Sequence, residues 1–246
     1  MRDQIHETPD MIINPYRFGA DSGNPGTSNL VGWWDLEEST GTRSDAHTNG
    51  LDLSMVGAVG SVTGKVGDAA NISTASSNSL RRSDEALTSI TGALTITGWI
   101  KADILDVILT TVLSKSNGTG DQRSYLLYRS VDKLRILVNS NGTSAGNTIV
   151  ESTTTISTGV WYFVAGVFNP SVNVDLWVNG TKEASAGSAP SALFDSSAPL
   201  EMFTLNDGTG GDLASLDSVN LWDAALTDEQ IGWIYNSGSG RAYADL

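Results

Sequence analysis

The sequence predicts an all-β protein, built as an antiparallel sandwich of two sheets with one short helix near the C-terminus. Thirty Ser, 24 Thr and 26 Gly among 246 residues, with only 17% charged residues, are typical of many short strands joined by polar turns. Short β-branched and aromatic runs recur between Gly, Asn, Asp and Ser. No linker separates these runs into two groups, so we expect a single domain.

The chain divides into an extended N-terminal arm, residues 1–29, and the sandwich domain, residues 30–246. The arm holds three of the six prolines and shows neither a strand period nor a helix period. It also contains an apolar and aromatic cluster that is unusual for a solvated linker, namely Asn14, Pro15, Tyr16, Arg17 and Phe18. We expect this cluster either to anchor the arm on a partner or to fold back onto its own domain.

The clearest strand comprises residues 94–101. Leu94, Ile96 and Ile100 share one face and polar residues share the other, which predicts a half-buried strand. Further runs rich in β-branched and aromatic residues predict strands at 109–114, 124–128, 134–139, 148–152, 161–168 and 213–222. Thr227 and Gln230 have the spacing of a capping box, which predicts a short helix through Tyr235.

A hairpin is predicted where residues 172–178 and 181–184 are joined by Asn179 and Gly180. Both residues tolerate positive φ, as a type I′ turn requires. Strand alternation places Val172, Val174, Leu176 and Val178 on one face. The opposite face receives Asn173, Asp175 and Trp177.

Charge and residue types exclude several classes of protein. Lys plus Arg is 14 against 28 for Asp plus Glu, and the net charge of -14 disfavours a nucleic-acid partner. The absence of cysteine excludes a disulfide framework, a Cys nucleophile and an iron-sulfur cluster. No stretch is apolar enough to span a membrane, and no apolar run of a signal peptide follows Met1. We therefore expect a soluble protein with no membrane partner.

Three groups of segments resemble the laminin G-like, concanavalin A-like jelly-roll domains. The first is residues 30–41 (LVGWWDLEESTG), and the second combines 94–101 (LTITGWIK), 161–165 (WYFVA) and 176–180 (LWVNG). The third combines 216–222 (LDSVNLW), 225–231 (ALTDEQI) and 234–236 (IYN). The resemblance covers roughly residues 30 to 236, and it implies a two-sheet jelly roll of the sugar-binding type.

Residues 13–19 of the arm (INPYRFG) are similar to segments that open some structural proteins of tailed phages. This similarity implies a non-enzymatic virion surface protein, a capsid decoration or tail appendage made in the host cytoplasm. Its partners would be capsid or tail subunits and, weakly, cell-surface or environmental glycans, with many copies forming a homo-oligomer or lattice. The alternative is a free carbohydrate-binding module of a bacterial extracellular protein.

The sequence offers no catalytic residues. Glycosidases of this superfamily carry two carboxylates that project into one cleft, in a Glu-x-Asp-x-x-Glu spacing that this chain lacks. Asp35, Glu37 and Glu38 are the nearest cluster, and we interpret them as a solvated acidic turn. His6 and His47, the two imidazoles, give poor support for a Ser-His-Asp triad. We expect no enzymatic activity.

Two candidate sites follow, one for calcium that the resemblance implies and one for sugar that the residue types on one face of the hairpin suggest. Members of the family often hold calcium between the opening loop and the closing strand, and the matching positions here are Asp45, Gly67 and Asp217. Alternatively, Asp217 accepts backbone N–H groups from a neighbouring loop. For sugar, Trp177 could stack on a pyranose while Asp175 and Asn173 bind its hydroxyls, or Trp177 could pack in the core.

Overall fold

The computed structural model describes residues 23–74, 77–105, 109–205 and 213–246. The arm cluster Asn14, Pro15, Tyr16, Arg17 and Phe18 lies outside the described residues. The described part of the chain forms fifteen strands, one α-helix and a few single 3-10 turns, which confirms the predicted all-β class. No helix in those ranges is long and apolar enough to cross a membrane.

The strands are β1 (Leu30–Trp34), β2 (Ser54–Val56), β3 (Gly60–Thr63), β4 (Asp68–Ile72), β5 (Ser79–Arg82), β6 (Leu94–Ala102), β7 (Thr110–Asn117), β8 (Gln122–Ser130), β9 (Lys133–Gly142), β10 (Asn147–Glu151), β11 (Trp161–Asn169), β12 (Asn173–Val178), β13 (Thr181–Ala186), β14 (Leu200–Phe203) and β15 (Ala214–Trp222). The helix α1 spans Asp228–Tyr235.

The strands form two antiparallel sheets stacked face to face. The first sheet has the order β13-β12-β11-β6-β15-β4-β3, and β1 also pairs with β15. The second sheet has the order β10-β9-β8-β7-β14-β5-β2. Strands that are distant in sequence lie side by side, as β15 does between β6 and β4. This is the predicted two-sheet jelly-roll sandwich.

The main apolar core lies between the two sheets. Leu94, Ile96 and Ile100 of β6 face it, as alternation predicts. The valines at 174 and 178 and Leu176 of β12 also face it. The prediction for Val172 was wrong, because this residue precedes β12 and is 53% exposed.

A second apolar cluster covers the outer face of the first sheet. Trp99, Trp177 and Trp222 of the sheet pack there against Ile231 and other residues of α1. The prediction that residues 94–101 form a half-buried strand was therefore wrong, because Thr95 and Thr97 of β6 are fully buried as well. Thr95 Oγ1 donates to Ala224 O and accepts from Leu226 N in the segment leading into α1.

Two local predictions are confirmed. Asn179 and Gly180, at φ 49° and 74°, form the left-handed pair of a type I′ turn between β12 and β13. Thr227 and Gln230 form the capping box of α1, each side chain bonding to the other residue's backbone.

Candidate functional site

The two sheets differ in what lies on their outer faces. The C-terminal segment covers the outer face of the first sheet, whereas the outer face of the second sheet bears two adjoining cavities at the β14-β5-β2 edge. The larger, about 370 Å³, is lined by Asp52, Ser54, Val56 and residues 81–85. The smaller, about 170 Å³, is lined by residues that include Ser79, Glu201 and Leu205. Val56 and Arg81 border both, and we call this continuous depression the trough.

Glu201 lies at the base of the trough. Its neighbours in β14, Leu200 and Met202, face the main core, so strand alternation directs Glu201 to the outer face. Its Oε1 accepts from Ser79 Oγ at 2.8 Å and lies 3.2 Å from Arg81 Nε. The side chain is only 3% exposed, and this burial raises the pKa of Glu201 above its ordinary value.

Glu201 Oε2 shares an unusual feature with Glu85 Oε1 and Arg82 Nε, which also belong to residues that line the trough. Each of these atoms is buried and has no hydrogen-bond partner among the described residues. Carboxylate oxygens in protein interiors are normally hydrogen-bonded, because an unpaired buried acceptor costs free energy. Glu201 lines the smaller cavity, but Oε2 itself has almost no exposed surface, so a ligand donor reaches it only if the cavity wall shifts.

Arg82 forms part of the wall of the larger cavity. Its guanidinium donates to Gly50 O at 3.0 Å and Asp52 O at 3.3 Å on one side. On the other side it donates to Glu85 Oε2 at 2.7 Å. Arg82 therefore holds the 50–52 loop and the 83–85 loop at a fixed separation.

Lys115 lies beneath the trough and holds part of its lining in place. Its ammonium group is fully buried, forms an ion pair with Asp84 and donates to Ala198 O at 3.0 Å. Asp84 itself is 39% exposed and lines the larger cavity. The cations Arg81, Arg82 and Lys115 thus each lie against a carboxylate of the trough.

The residues proposed for sugar stacking lie elsewhere, on the outer face of the first sheet. Asp175 accepts from Asn173 Nδ2 at 2.8 Å and pairs with Lys182 at 3.0 Å, so the structure brings this group together. Trp177 is only 3% exposed within the cluster beneath α1, with Lys182 Nζ 4.5 Å from its ring centroid. The ring offers no open face to a sugar, and packing is the role that the structure shows.

The residues proposed for calcium each take part in hydrogen bonds within the protein. Asp217 Oδ2 accepts from Lys65 N and Val66 N at 2.5 and 2.8 Å, as the alternative interpretation predicts. Asp45 accepts from three backbone N–H groups, those of residues 33, 47 and 51. The Gly67 carbonyl accepts from Gly64 N at 2.8 Å. Within the described ranges no group of three or more His, Asp or Glu side chains could hold a metal ion.

Burial has a marked effect on Asp217. The side chain lies in the interior beside Glu37, and desolvation raises the pKa of Asp217 to about 7. Its hydrogen bonds to the 64–67 turn oppose this rise. The carboxyl group thus ties the β3-β4 turn to β15, which is a structural role.

The acidic cluster near the end of β1 also ties loops together. Asp35 accepts from Trp33 Nε1 at 2.7 Å and Tyr243 N at 3.1 Å. Glu37 accepts from Asp68 N at 2.8 Å, and Glu38 from Ser44 N at 2.7 Å. Each carboxylate bonds to a different part of the chain, so the three do not form one acid-base group.

Comparison with known protein families identifies the family to which the fold belongs. Residues 73–232, about two thirds of the chain, match the family described as the concanavalin A-like lectin/glucanases superfamily, in its laminin G form. The chain belongs to this family. No curated protein sequence matches it significantly. The laminin G-like resemblance that the sequence carries is therefore confirmed over this span.

Solved structures with the same fold include toxin domains and a domain of a polysaccharide-degrading enzyme. The binding domain of Paraclostridial Mosquitocidal Protein 1 has a TM-score of 0.67 and 17% identity, covering 85% of this chain and 52% of that one. The binding domain of botulinum neurotoxin DC, in complex with SialylT, has a TM-score of 0.64 and 11% identity over 85% and 51%. This laminin G-like chain thus spans about half the length of those binding domains.

Domain 4 of AbnA, a GH43 extracellular arabinanase from Geobacillus stearothermophilus, was solved in complex with arabinotriose. It has a TM-score of 0.66 and 17% identity, covering 87% of this chain and 98% of that domain. The laminin G-like fold of this chain therefore corresponds to a whole domain there, and to part of a domain in the toxins.

Sequence reasoning missed Glu201 and Arg81 because it predicted neither β14 nor β5. Both strands have only four residues, too few for alternation to stand out. The available signal was a single glutamate inside the apolar run LEMF. A charge within such a run marks either a paired buried group or a site.

Proposed function

We propose that this chain is a non-catalytic carbohydrate-binding jelly roll and that the trough is its glycan-binding site. The observation that carries the proposal is the trough itself, a depression on the outer face of the second sheet lined by paired charged groups. Sugar sites combine such fixed polar groups, which bind hydroxyls, with some apolar surface. Val56, which is 39% exposed, provides apolar surface at the junction of the two cavities.

The arabinanase domain supports the glycan-binding proposal more strongly than the toxin domains do. Nearly all of that domain is covered, so its arabinotriose is bound by a domain of the same extent as this one. In the toxin domains only about half of the length is matched, and the sugar need not contact the matched half. Arabino-oligosaccharides are therefore the first ligands to test.

The proposal that the protein is non-catalytic rests on the pairing of the trough carboxylates. Three of the four trough carboxylates, Glu201, Glu85 and Asp84, lie against Arg81, Arg82 and Lys115, respectively. The fourth, Asp52, accepts from Asp45 N at 2.9 Å. A glycosidase needs one carboxylic acid and one carboxylate that both reach the scissile bond. We expect no release of reducing sugar from arabinan or β-glucans, and sustained release by the purified protein would contradict this part of the proposal.

The binding test is calorimetry of the full chain with arabinotriose and longer arabino-oligosaccharides. We expect saturable binding that the substitution Arg81→Ala weakens about tenfold, equivalent to about 1.4 kcal/mol. Arg135→Ala is the matched control, since Arg135 pairs with Glu151 at the far edge of the same sheet. Equal loss in both variants, or no binding of any oligosaccharide, would contradict the assignment of the trough.

We also propose that residues 1–29 anchor the jelly roll to a virion, as a capsid decoration or tail appendage. The support is the sequence cluster from Asn14 to Phe18 and its similarity to phage structural proteins. Many copies on one particle would turn weak glycan binding into useful avidity. The similarity to an arabinanase domain favours the second candidate, a carbohydrate-binding module of a bacterial extracellular protein.

Solution mass separates these two candidates. The full chain and a chain that starts at Asn29 are each measured alone and after mixing with candidate capsid and tail particles. Oligomerisation or particle binding by the full chain alone supports the virion anchor. If both chains stay monomeric and bind no particles, but still bind oligosaccharide, the extracellular module is supported.

A further inference from the structure

The trough carries information about the chemical class of its glycan. Glu201 Oε2 is buried at its base and has no hydrogen-bond donor among the described residues. A ligand hydroxyl gives this oxygen the partner that the protein does not supply, once the cavity wall shifts to expose it. A carboxylate or sulfate group has no proton to donate at neutral pH and would lie against a like charge.

The charges that line the trough favour the same class. Four carboxylates border the two cavities, those of Asp52, Asp84, Glu85 and Glu201, against two guanidinium groups. Lys115 adds one positive charge from below but is already paired with Asp84. The whole chain carries a net charge of -14, so its field also repels anions on approach.

The arginines are held by protein acceptors. Arg81 lies 3.2 Å from Glu201 Oε1, and Arg82 donates to Glu85 and to two backbone carbonyls. An anionic sugar could approach Arg81, which is 35% exposed, or Arg82 Nε, which has no acceptor among the described residues, but it would do so beside the four carboxylates of the trough. A neutral hydroxyl can instead donate to a carboxylate while the existing pair stays intact.

We propose that the trough selects neutral, hydroxyl-rich oligosaccharides and rejects sialylated or uronic glycans, with one sugar hydroxyl donating to Glu201 Oε2. The proposal rests on the proposed function, because it specifies the ligand class of the same site. It separates the two kinds of sugar found with similar folds, arabinotriose and sialylated sugars.

The test uses the full chain, one matched pair of ligands and one further neutral sugar. Arabinotriose and lactose are the neutral probes, and 3′-sialyllactose is lactose with an added sugar that bears a carboxylate. We expect the tighter-binding neutral probe to exceed 3′-sialyllactose at least tenfold in affinity at low salt, with a smaller ratio at high salt because charge repulsion is screened. Equal or tighter binding of 3′-sialyllactose would overturn the inference and leave the glycan-binding function standing. If none of the probes binds, the proposed function itself fails.

A substitution of Glu201 tests whether this residue is responsible for the preference for neutral over sialylated sugars. Glu201→Gln keeps the size of the side chain and removes its charge. We therefore expect the neutral probe to bind about tenfold more weakly and the ratio of its affinity to that of 3′-sialyllactose to become smaller. Glu151→Gln, at the far edge of the same sheet, is the control and should change neither value. An unchanged affinity and an unchanged gap in Glu201→Gln would rule out Glu201 as the acceptor. If this variant does not fold, the comparison of ligands on the native protein still decides the inference.

Discussion

Burial raises the pKa of individual carboxyl groups in this protein, and Asp217 is the clearest example. It lies inside β15, and burial outweighs the three hydrogen bonds that it accepts. Its pKa of about 7 in the folded state exceeds the ordinary value of 3.8. Between these two values the folded chain holds a proton that the unfolded chain has released. This group therefore lowers the free energy of unfolding as pH rises through that window.

We predict that Asp217→Asn flattens the pH dependence of stability and raises the melting temperature at pH 7.5 relative to the native chain. The amide is uncharged and can still accept from the Lys65 and Val66 N–H groups. Melting curves at pH 4.5 and 7.5 measure the effect, and Asp223→Asn, at an exposed position, is the control. A pH dependence as steep in Asp217→Asn as in the native chain would contradict the prediction.

Gly180 shows how one residue in a turn is fixed by both backbone and packing. Its φ is 74°, and a Cβ added there would lie 2.4 Å from Cδ1 of Tyr235. An alanine would strain the backbone and displace the end of α1.

We predict that Gly180→Ala lowers the free energy of unfolding by about 1–3 kcal/mol. Gly187→Ala is the matched control, because no atom lies within 4 Å of the added Cβ, and it should change stability by less than about 1 kcal/mol. Urea unfolding measures both variants. Equal stabilities would mean that the turn and Tyr235 rearrange without cost.

At the level of elements, α1 decides what the first sheet can do. The helix has only eight residues, which is too short to be stable alone in water. It is held by its capping box and by the burial of Ile231, Trp233 and Ile234 against the sheet. In turn it packs in the same cluster as Trp177, whose ring is left with almost no exposed surface.

We predict that Thr227→Ala lowers the free energy of unfolding by about 1 kcal/mol, because the N–H of Gln230 loses its side-chain acceptor. Thr227→Ser keeps the hydroxyl and should retain most of the stability. Thermal unfolding followed by circular dichroism gives both values. Similar losses in the two variants would assign the effect to the methyl group and not to the cap.

At the level of the whole molecule, the tryptophans lie apart from the trough. Six of the seven tryptophans are buried, and none of the residues that line the trough is aromatic. We therefore predict that native tryptophan emission is blue-shifted and stays nearly unchanged when arabinotriose saturates the trough in calorimetry. Unfolding should shift it strongly to the red.

A saturable quenching that Trp177→Ala abolishes would place the ligand on the first sheet. That outcome would require α1 to move away, since Trp177 is covered in this structure. The fluorescence titration and the calorimetry therefore test the location of the site by independent signals.

The amino-acid pattern was enough to predict the fold class, the I′ turn at Asn179 and Gly180, the capping box at Thr227 and the core face of β6. These depend on strand alternation and on short-range hydrogen bonds, which a linear pattern records. Tertiary structure alone decided that α1 buries Trp177 and that Glu201, Arg81 and Arg82 converge in a trough. Their convergence joins β14 to β5, which are more than a hundred residues apart. Burial of an outer sheet face depends on what packs against it, and no local pattern records that.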